Sequence, residues 1–127
     1  MITLSVRGAV SVDRNTSESI QSAVVKLVSL LEKENGIREE DLTMILFSVT
    51  ADLTALNPAA ALRRGGAHGS AALFCVQEPV YDGSLPMTVR VLIQFCAEEK
   101  RPLKPVYLGA AAALRPDLTG QEGSLRG

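Results

Sequence analysis

Ile20, Val24, Leu27, Val28 and Leu31 fall at i, i+4, i+7, i+8 and i+11, the spacing that aligns one apolar stripe along a helix. Asn15, followed three residues later by Glu18, resembles an N-terminal capping box, and Gly36 after Asn35 is a natural C-terminal stop. A second, shorter helix is predicted from Asn57-Pro58, with proline suited to the first helical position, through Ala59 to Arg64, ending at Gly65-Gly66. Almost everything else with periodicity reads as strand. Two helices of this size cannot cover both faces of the sheet those strands would form.

The strand patterns are distinct. Ile2 to Val10 alternates with period two: Ile2, Leu4, Val6 and Val10 share one face, and Thr3, Ser5, Arg7 and Ala9 share the other. Leu42 to Thr50 is apolar on both sides at Ile45, Leu46, Phe47 and Val49, which predicts a central strand. Ala71 to Gln77 is a third strand, residues 87–97 a long fourth, and Val106-Tyr107-Leu108 a short edge strand beyond Pro102 and Pro105. Arg38 to Asp41 reads as a short polar helical turn, and Tyr81-Asp82-Gly83-Ser84 has turn chemistry. The order β-α-β-α-β-β-β predicts an α/β (α+β) fold, a mixed sheet with one long and one short helix. Its uncovered face must meet something apolar, and a cyclic oligomer of identical chains is the simplest solution.

With 127 residues the chain reads as one domain with a real core, over residues 1–118; the polar, Gly-containing stretch 119–127 is expected to be a loose tail. A formal net charge of -1 gives no footprint for nucleic acid or an acidic membrane. No apolar run approaches the ~20 residues needed to span a bilayer. The N-terminus enters a strand pattern without the features of a signal peptide, so a cytoplasmic location is expected. Cys75 and Cys96 are too few and too far apart for a disulfide framework or a zinc site. With no Trp, three Phe and two Tyr, a base-stacking platform is not expected either.

Two arginines carry the functional argument. Arg90 lies within Met87-Thr88-Val89-Arg90-Val91-Leu92-Ile93, and Arg7 within a similar run near the N-terminus. Guanidinium is always charged and is costly to bury alone, so such positions face water, a carboxylate or a bound anion. An arginine in a strand is commonly just solvated or ion-paired. Two of them alternating with Val, Ile or Leu instead suggest a rigid pocket for a small acid, which guanidinium grips bidentately.

Arg63-Arg64 suits the C-terminal end of a helix dipole as well as a ligand. Glu78, before Pro79, is either a surface acid or, beside arginine, an acceptor for a hydroxyl. Cys75 reads as a small buried hydrophobe, His68 in its Gly-rich loop as a solvated residue, and Tyr107 as packing or as a donor to a carboxylate. There is no phosphate loop, dinucleotide fingerprint, metal-ligand cluster or nucleophile-base-acid set. An enzyme built from these parts must work by binding, orientation and fixed charge, as a pericyclic rearrangement of a dianion requires.

The segments "VRGAVSVDRN", "ILFSVTADLTALNPAAALR", "CVQE", "VRVLIQF" and "VYLGAAAALRPDL" together resemble the AroH-class chorismate mutases, over nearly the whole chain to about Leu118. The resemblance implies three chains forming a pseudo-α/β-barrel homotrimer with active sites between subunits, chorismate as substrate, prephenate as product and no cofactor or metal. It implies Arg90 beside the breaking ether oxygen and Arg7 on a carboxylate of the side chain, assisted by Tyr107. Glu78 and the surroundings of Cys75 would take the ring hydroxyl, Arg63 would stand at the rim, and Leu114-Arg115 would close the mouth.

Three positions depart from the family pattern: Asn57 stands for an aromatic residue, Ala60 for a basic one, and Phe74 for a small residue before the cysteine. These would line the entrance or wall, altering substrate affinity and on-rate more than the chemical step. Cys75 and Glu78 are three apart, so ideal strand alternation points them to opposite faces. Both can serve one site only if the strand ends or bulges between them, or if Cys75 acts through its backbone. Two other readings are a Rid-type imine deaminase and a non-catalytic trimeric module that binds an aromatic-pathway acid.

Overall fold

The apolar stripe folds as α1, Ser17–Asn35, and Ile20, Val24, Leu27, Val28 and Leu31 are all 0% exposed. Burial of each such side chain contributes about 1.5–3 kcal/mol, so this one face supplies much of the core. The cap differs from the expectation. Thr16, not Asn15, caps the helix, its hydroxyl oxygen accepting from the Ser19 amide at 3.1 Å. Asn15 is used elsewhere: its carbonyl accepts from the Thr54 and Ala55 amides, and its amide donates to the Thr54 hydroxyl. It therefore ties the start of α1 to a distant loop. Gly36 ends the helix at φ 60°, a left-handed conformation suited to glycine.

The computed structural model describes residues 1–66 and 68–113. Leu114, Arg115 and the 119–127 tail lie outside the described residues. The strands are β1 (Ile2–Ser11), β2 (Leu42–Val49), β3 (Ala72–Gln77), β4 (Thr88–Ala97) and β5 (Val106–Leu108), with α2 (Pro58–Arg64) between β2 and β3. Single 3-10 turns occupy Glu39–Asp41 and Gly109–Ala113. Asn57 caps α2 as its position before Pro58 predicts, accepting from the Ala59 amide at 2.8 Å.

The five strands form one mixed sheet in the order β3-β2-β4-β1-β5. β4 runs antiparallel to both β1 and β2 and separates them; β3 is parallel to β2, and β5 is parallel to β1. Val6, Val10, Ile45, Phe47, Val89, Val91, Ile93 and Phe95 pack with the α1 stripe and with Ala59, Ala61 and Leu62 of α2 in one core. Both helices thus lie on one face. Among the described residues the other face is bare, with Phe74 63% and Val76 43% exposed and Leu46 and Leu92 part-exposed beside them.

Two local features fix the β5 edge of the sheet. A Cβ at Gly8 would stand 2.6 Å from the Val106 carbonyl oxygen and 3.0 Å from Leu31, so glycine lets β5 and α1 both close on β1. Asn35, buried at the end of α1, exchanges two hydrogen bonds with the Lys104 backbone at 2.7 and 2.9 Å, and its own carbonyl accepts from Arg101 at 2.6 Å. These bonds staple the segment leading into β5 onto the helix. His68 is a second correction: it is buried, not solvated, and its Nε2 lies 2.7 Å from Glu32 on α1. The imidazole reaches from its loop to α1, where Glu32 gives Nε2 a partner, while Nδ1 is buried without one among the described residues. No described helix is long and apolar enough to cross a membrane, and Cys75 and Cys96 are free thiols.

Candidate active site

The register of the sheet places Ser48, Arg90, Ala9 and Tyr107 in one row across β2, β4, β1 and β5, on the bare face. The neighbouring row holds Phe74, Leu46, Leu92 and Arg7. Period-two alternation is the cause: Val89 and Val91 go to the core, so Arg90 must point the other way. Between these rows lies a cavity of about 530 Å³, lined by Arg7, Leu46, Ser48, Arg90, Leu92 and Tyr107, with Gly8, Val76 and Val91 also contributing to its wall. That volume is in the range of roughly 300–1,000 Å³ found for small-molecule sites.

Arg90 is half-buried, and its Nε donates to Glu78 Oε1 at 3.1 Å. Ser48 Oγ donates to the same oxygen at 3.4 Å. Glu78 is 8% exposed, and its other oxygen, Oε2, is buried without a hydrogen-bond partner among the described residues. It stands one residue past the end of β3, its amide donating to the Val49 carbonyl at 2.9 Å, which extends the ladder by one step. The carboxylate fixes the guanidinium through Nε alone. The two terminal nitrogens of Arg90 make no hydrogen bond to the described residues and remain available as donors. Ala9, between Arg90 and Tyr107 in the row, is small and 1% exposed.

The residues singled out from the sequence separate clearly. Arg7, Arg90 and Tyr107 share the cavity, and Glu78 joins it through Arg90. Cys75 does not: it pairs in register with Phe47 and packs against the helix-side core, where burial pushes its thiol pKa above the ordinary value. β3 does not bulge, so Cys75 and Glu78 take opposite faces, and only the backbone of Cys75 remains open to a ligand. Phe74 is on the bare face but outside the cavity lining, and Arg63 is exposed in the last turn of α2. Ser48, Leu46 and Leu92 carry no sign in the sequence of a place beside Arg90, because only the register shows which alternate positions of β2 and β4 flank it.

Two permanent cations, a phenol, and a buried carboxylate with a spare acceptor oxygen suit a small acid that also carries a hydroxyl. None of these groups is a nucleophile paired with a base. The arrangement can bind, orient and stabilise charge that appears on an oxygen.

Comparison with known proteins agrees with this chemistry. A family model described as chorismate mutase type I matches residues 3–118. Chorismate mutase AroH of Thermus thermophilus is 39% identical over 115 residues, which cover 89% of this chain and 93% of that protein. The AroH protein of Bacillus subtilis (strain 168) is 32% identical over 120 residues, 94% of each. The solved structure of a chorismate mutase from Clostridium thermocellum superimposes with a TM-score of 0.81 at 36% identity, covering 87% of this chain and 98% of that one.

Proposed function

Because the chain belongs to the type I chorismate mutase family, we propose that the cavity between Arg7, Arg90 and Tyr107 is where it converts chorismate to prephenate. The enzyme is an isomerase of aromatic amino-acid biosynthesis. Family membership sets aside the imine-deaminase and non-catalytic readings.

The reaction is a [3,3] rearrangement. One C–O bond breaks as one C–C bond forms within the same molecule, so no proton or group need come from the protein. The chain must fold a dianion into a compact diaxial shape and stabilise negative charge on the departing ether oxygen. In our reading Arg90 supplies that charge through its terminal N–H groups, and Arg7 with Tyr107 holds the side-chain carboxylate. Glu78 accepts the ring hydroxyl through Oε2, and Cys75 contributes through its backbone. Phe74 and Arg63 flank the entrance, and Leu114 and Arg115 close it. A preorganised donor in a site excluded from water is worth ~3–4 kcal/mol in the transition state.

The reading extends to a homotrimer with sites between subunits, supported by the bare apolar face on which the cavity opens. A cytoplasmic location fits the free thiols of Cys75 and Cys96.

The observation that carries the mechanism is the pairing of Arg90, on central strand β4, with Glu78, while the terminal guanidinium nitrogens make no hydrogen bond to the described residues and Arg90 lines the cavity. Replacement of Arg90 by citrulline, neutral but nearly the same shape, tests it. Turnover of chorismate, followed by its absorbance, should fall by about 10²–10³ or more. Near-normal turnover of that variant would overturn the electrostatic account.

A further inference from the structure

We propose that Asp52, outside the cavity, is a positioning residue for catalysis: it holds Met87 in a left-handed conformation and so sets Arg90 against Glu78. The inference rests on the proposed role of Arg90. Met87 has φ 53°, a region that a residue with a Cβ rarely holds unaided. It is the last residue before β4, and Arg90 is the third residue of that strand. Both oxygens of the Asp52 carboxylate accept from the Met87 amide, at 3.0 and 3.2 Å, while Thr50 Oγ1 donates to the same carboxylate. The Met87 carbonyl in turn accepts from the Val12 amide at 2.7 Å.

The turn that carries Asp52 also governs both partners of the ion pair. On one side, Thr50 and Thr88 are joined by two short bonds, beside a longer one of 3.5 Å from Thr50 Oγ1 to the Thr88 carbonyl. The Thr50 amide donates to the Thr88 carbonyl at 3.1 Å, and the Thr88 amide donates to Thr50 Oγ1 at 3.0 Å. Thr88 is fully buried and lies two residues before Arg90, on the same face of β4. On the other side, Val49, the residue before Thr50, accepts the Glu78 amide at 2.9 Å. Arg90 and Glu78 are therefore hung from one short segment, residues 49–52, and Asp52 is its outer fastening. Asp52 itself is exposed; removing it takes an acceptor from the hydroxyl of buried Thr50, which still receives the Thr88 amide, and from the Met87 amide. What it removes is the acceptor that keeps Met87 at positive φ. Once Met87 relaxes, the start of β4 shifts, and misplacement by about 1 Å at a reacting centre costs roughly 10²-fold in rate.

The test compares Asp52→Ala, Asp52→Asn and the double variant Asp52→Ala, Met87→Gly in chorismate turnover, with folding checked by circular dichroism and thermal melting. Asp52→Ala should lower kcat by about 10–100-fold with KM within about threefold, since positioning acts on the chemical step. Asp52→Asn keeps an oxygen for the Met87 amide and should retain most of the rate. Glycine takes positive φ without help, so Met87→Gly should return about tenfold of the loss to Asp52→Ala. The double variant also carries the comparison if the single one does not fold, and its kcat should then lie within about tenfold of the wild type. A merely structural Asp52 would give a lower melting temperature with unchanged kcat, and that result overturns the proposal. So does an equal loss in all three variants. An inactive wild type would strike the assignment of the reaction itself, a result distinct from either.

Discussion

Arg90 is useful because one of its nitrogens is occupied. A guanidinium alone on an apolar strand would swing toward solvent; pairing Nε with Glu78 at 3.1 Å costs one donor and fixes the plane of the rest. Ser48 adds a longer bond of 3.4 Å to the same carboxylate oxygen. Ser48→Ala should therefore lower kcat/KM by less than about tenfold, because at 3.4 Å this bond is too long to contribute the ~1.5–3 kcal/mol of a well-formed hydrogen bond to a charged group. A loss comparable to that of the citrulline variant would mean that the serine touches the reacting atoms itself. Cys75 gives a prediction of opposite sign. Its side chain lies on the core side, so Cys75→Ala should keep kcat within about fivefold, as expected where only the peptide faces a ligand. Burial raises its thiol pKa, so less thiolate is present at a given pH. The midpoint of its alkylation by iodoacetamide should lie above the ~8.5 of a free thiol, and an unshifted profile would contradict the buried placement. Charge in an apolar strand made Arg7 and Arg90 legible from the sequence. Ser48 was not, since a serine among Ile45, Phe47 and Val49 carries no sign of which strand lies opposite.

The strand β5 is only three residues long and, among the described residues, pairs with β1 alone, yet it carries Tyr107 into the cavity. Such a short strand contributes little stability by itself. Its position depends on Gly8, which admits it, and on Asn35, whose amide group pairs with the Lys104 backbone two residues before Val106. Asn35→Ala leaves the Lys104 backbone without those partners and should destabilise the fold by about 1–3 kcal/mol. It should also raise KM more than it lowers kcat, because the proposed Tyr107 contact to a carboxylate acts in ground and transition state alike. Equal kcat/KM in a destabilised variant would show β5 to be held by something else. The contrast with α1 is instructive. Its stripe, its stop at Gly36 and the Pro58 start of α2 were all readable, because each is local in sequence. The contacts of Asn35 with Lys104, of Asn15 with Thr54 and Ala55, and of His68 with Glu32 join residues far apart in the chain, and nothing near them announces the partner.

Both helices cover the same side of the sheet, so Phe74, Val76, Leu46 and Leu92 form an apolar strip around the mouth of the cavity. This one-sidedness was already implied by two helices against five strands; the composition of the uncovered strip emerged only from the register. On the proposed trimer that strip is where neighbouring chains meet. Phe74→Asp puts a charge there without touching the cavity lining. It should shift sedimentation from trimer toward monomer, leave the far-ultraviolet circular dichroism unchanged and reduce turnover. An active Phe74→Asp monomer would refute the shared site.

A hollow proposed for catalysis that opens through an unsheltered sheet surface has a kinetic corollary. If sibling subunits furnish its remaining walls, output per polypeptide cannot stay constant on dilution. Below the dissociation constant of the assembly, specific activity should decay steeply as concentration drops, and adding inert excess of the same protein carrying a disabled Arg90 should restore part of it.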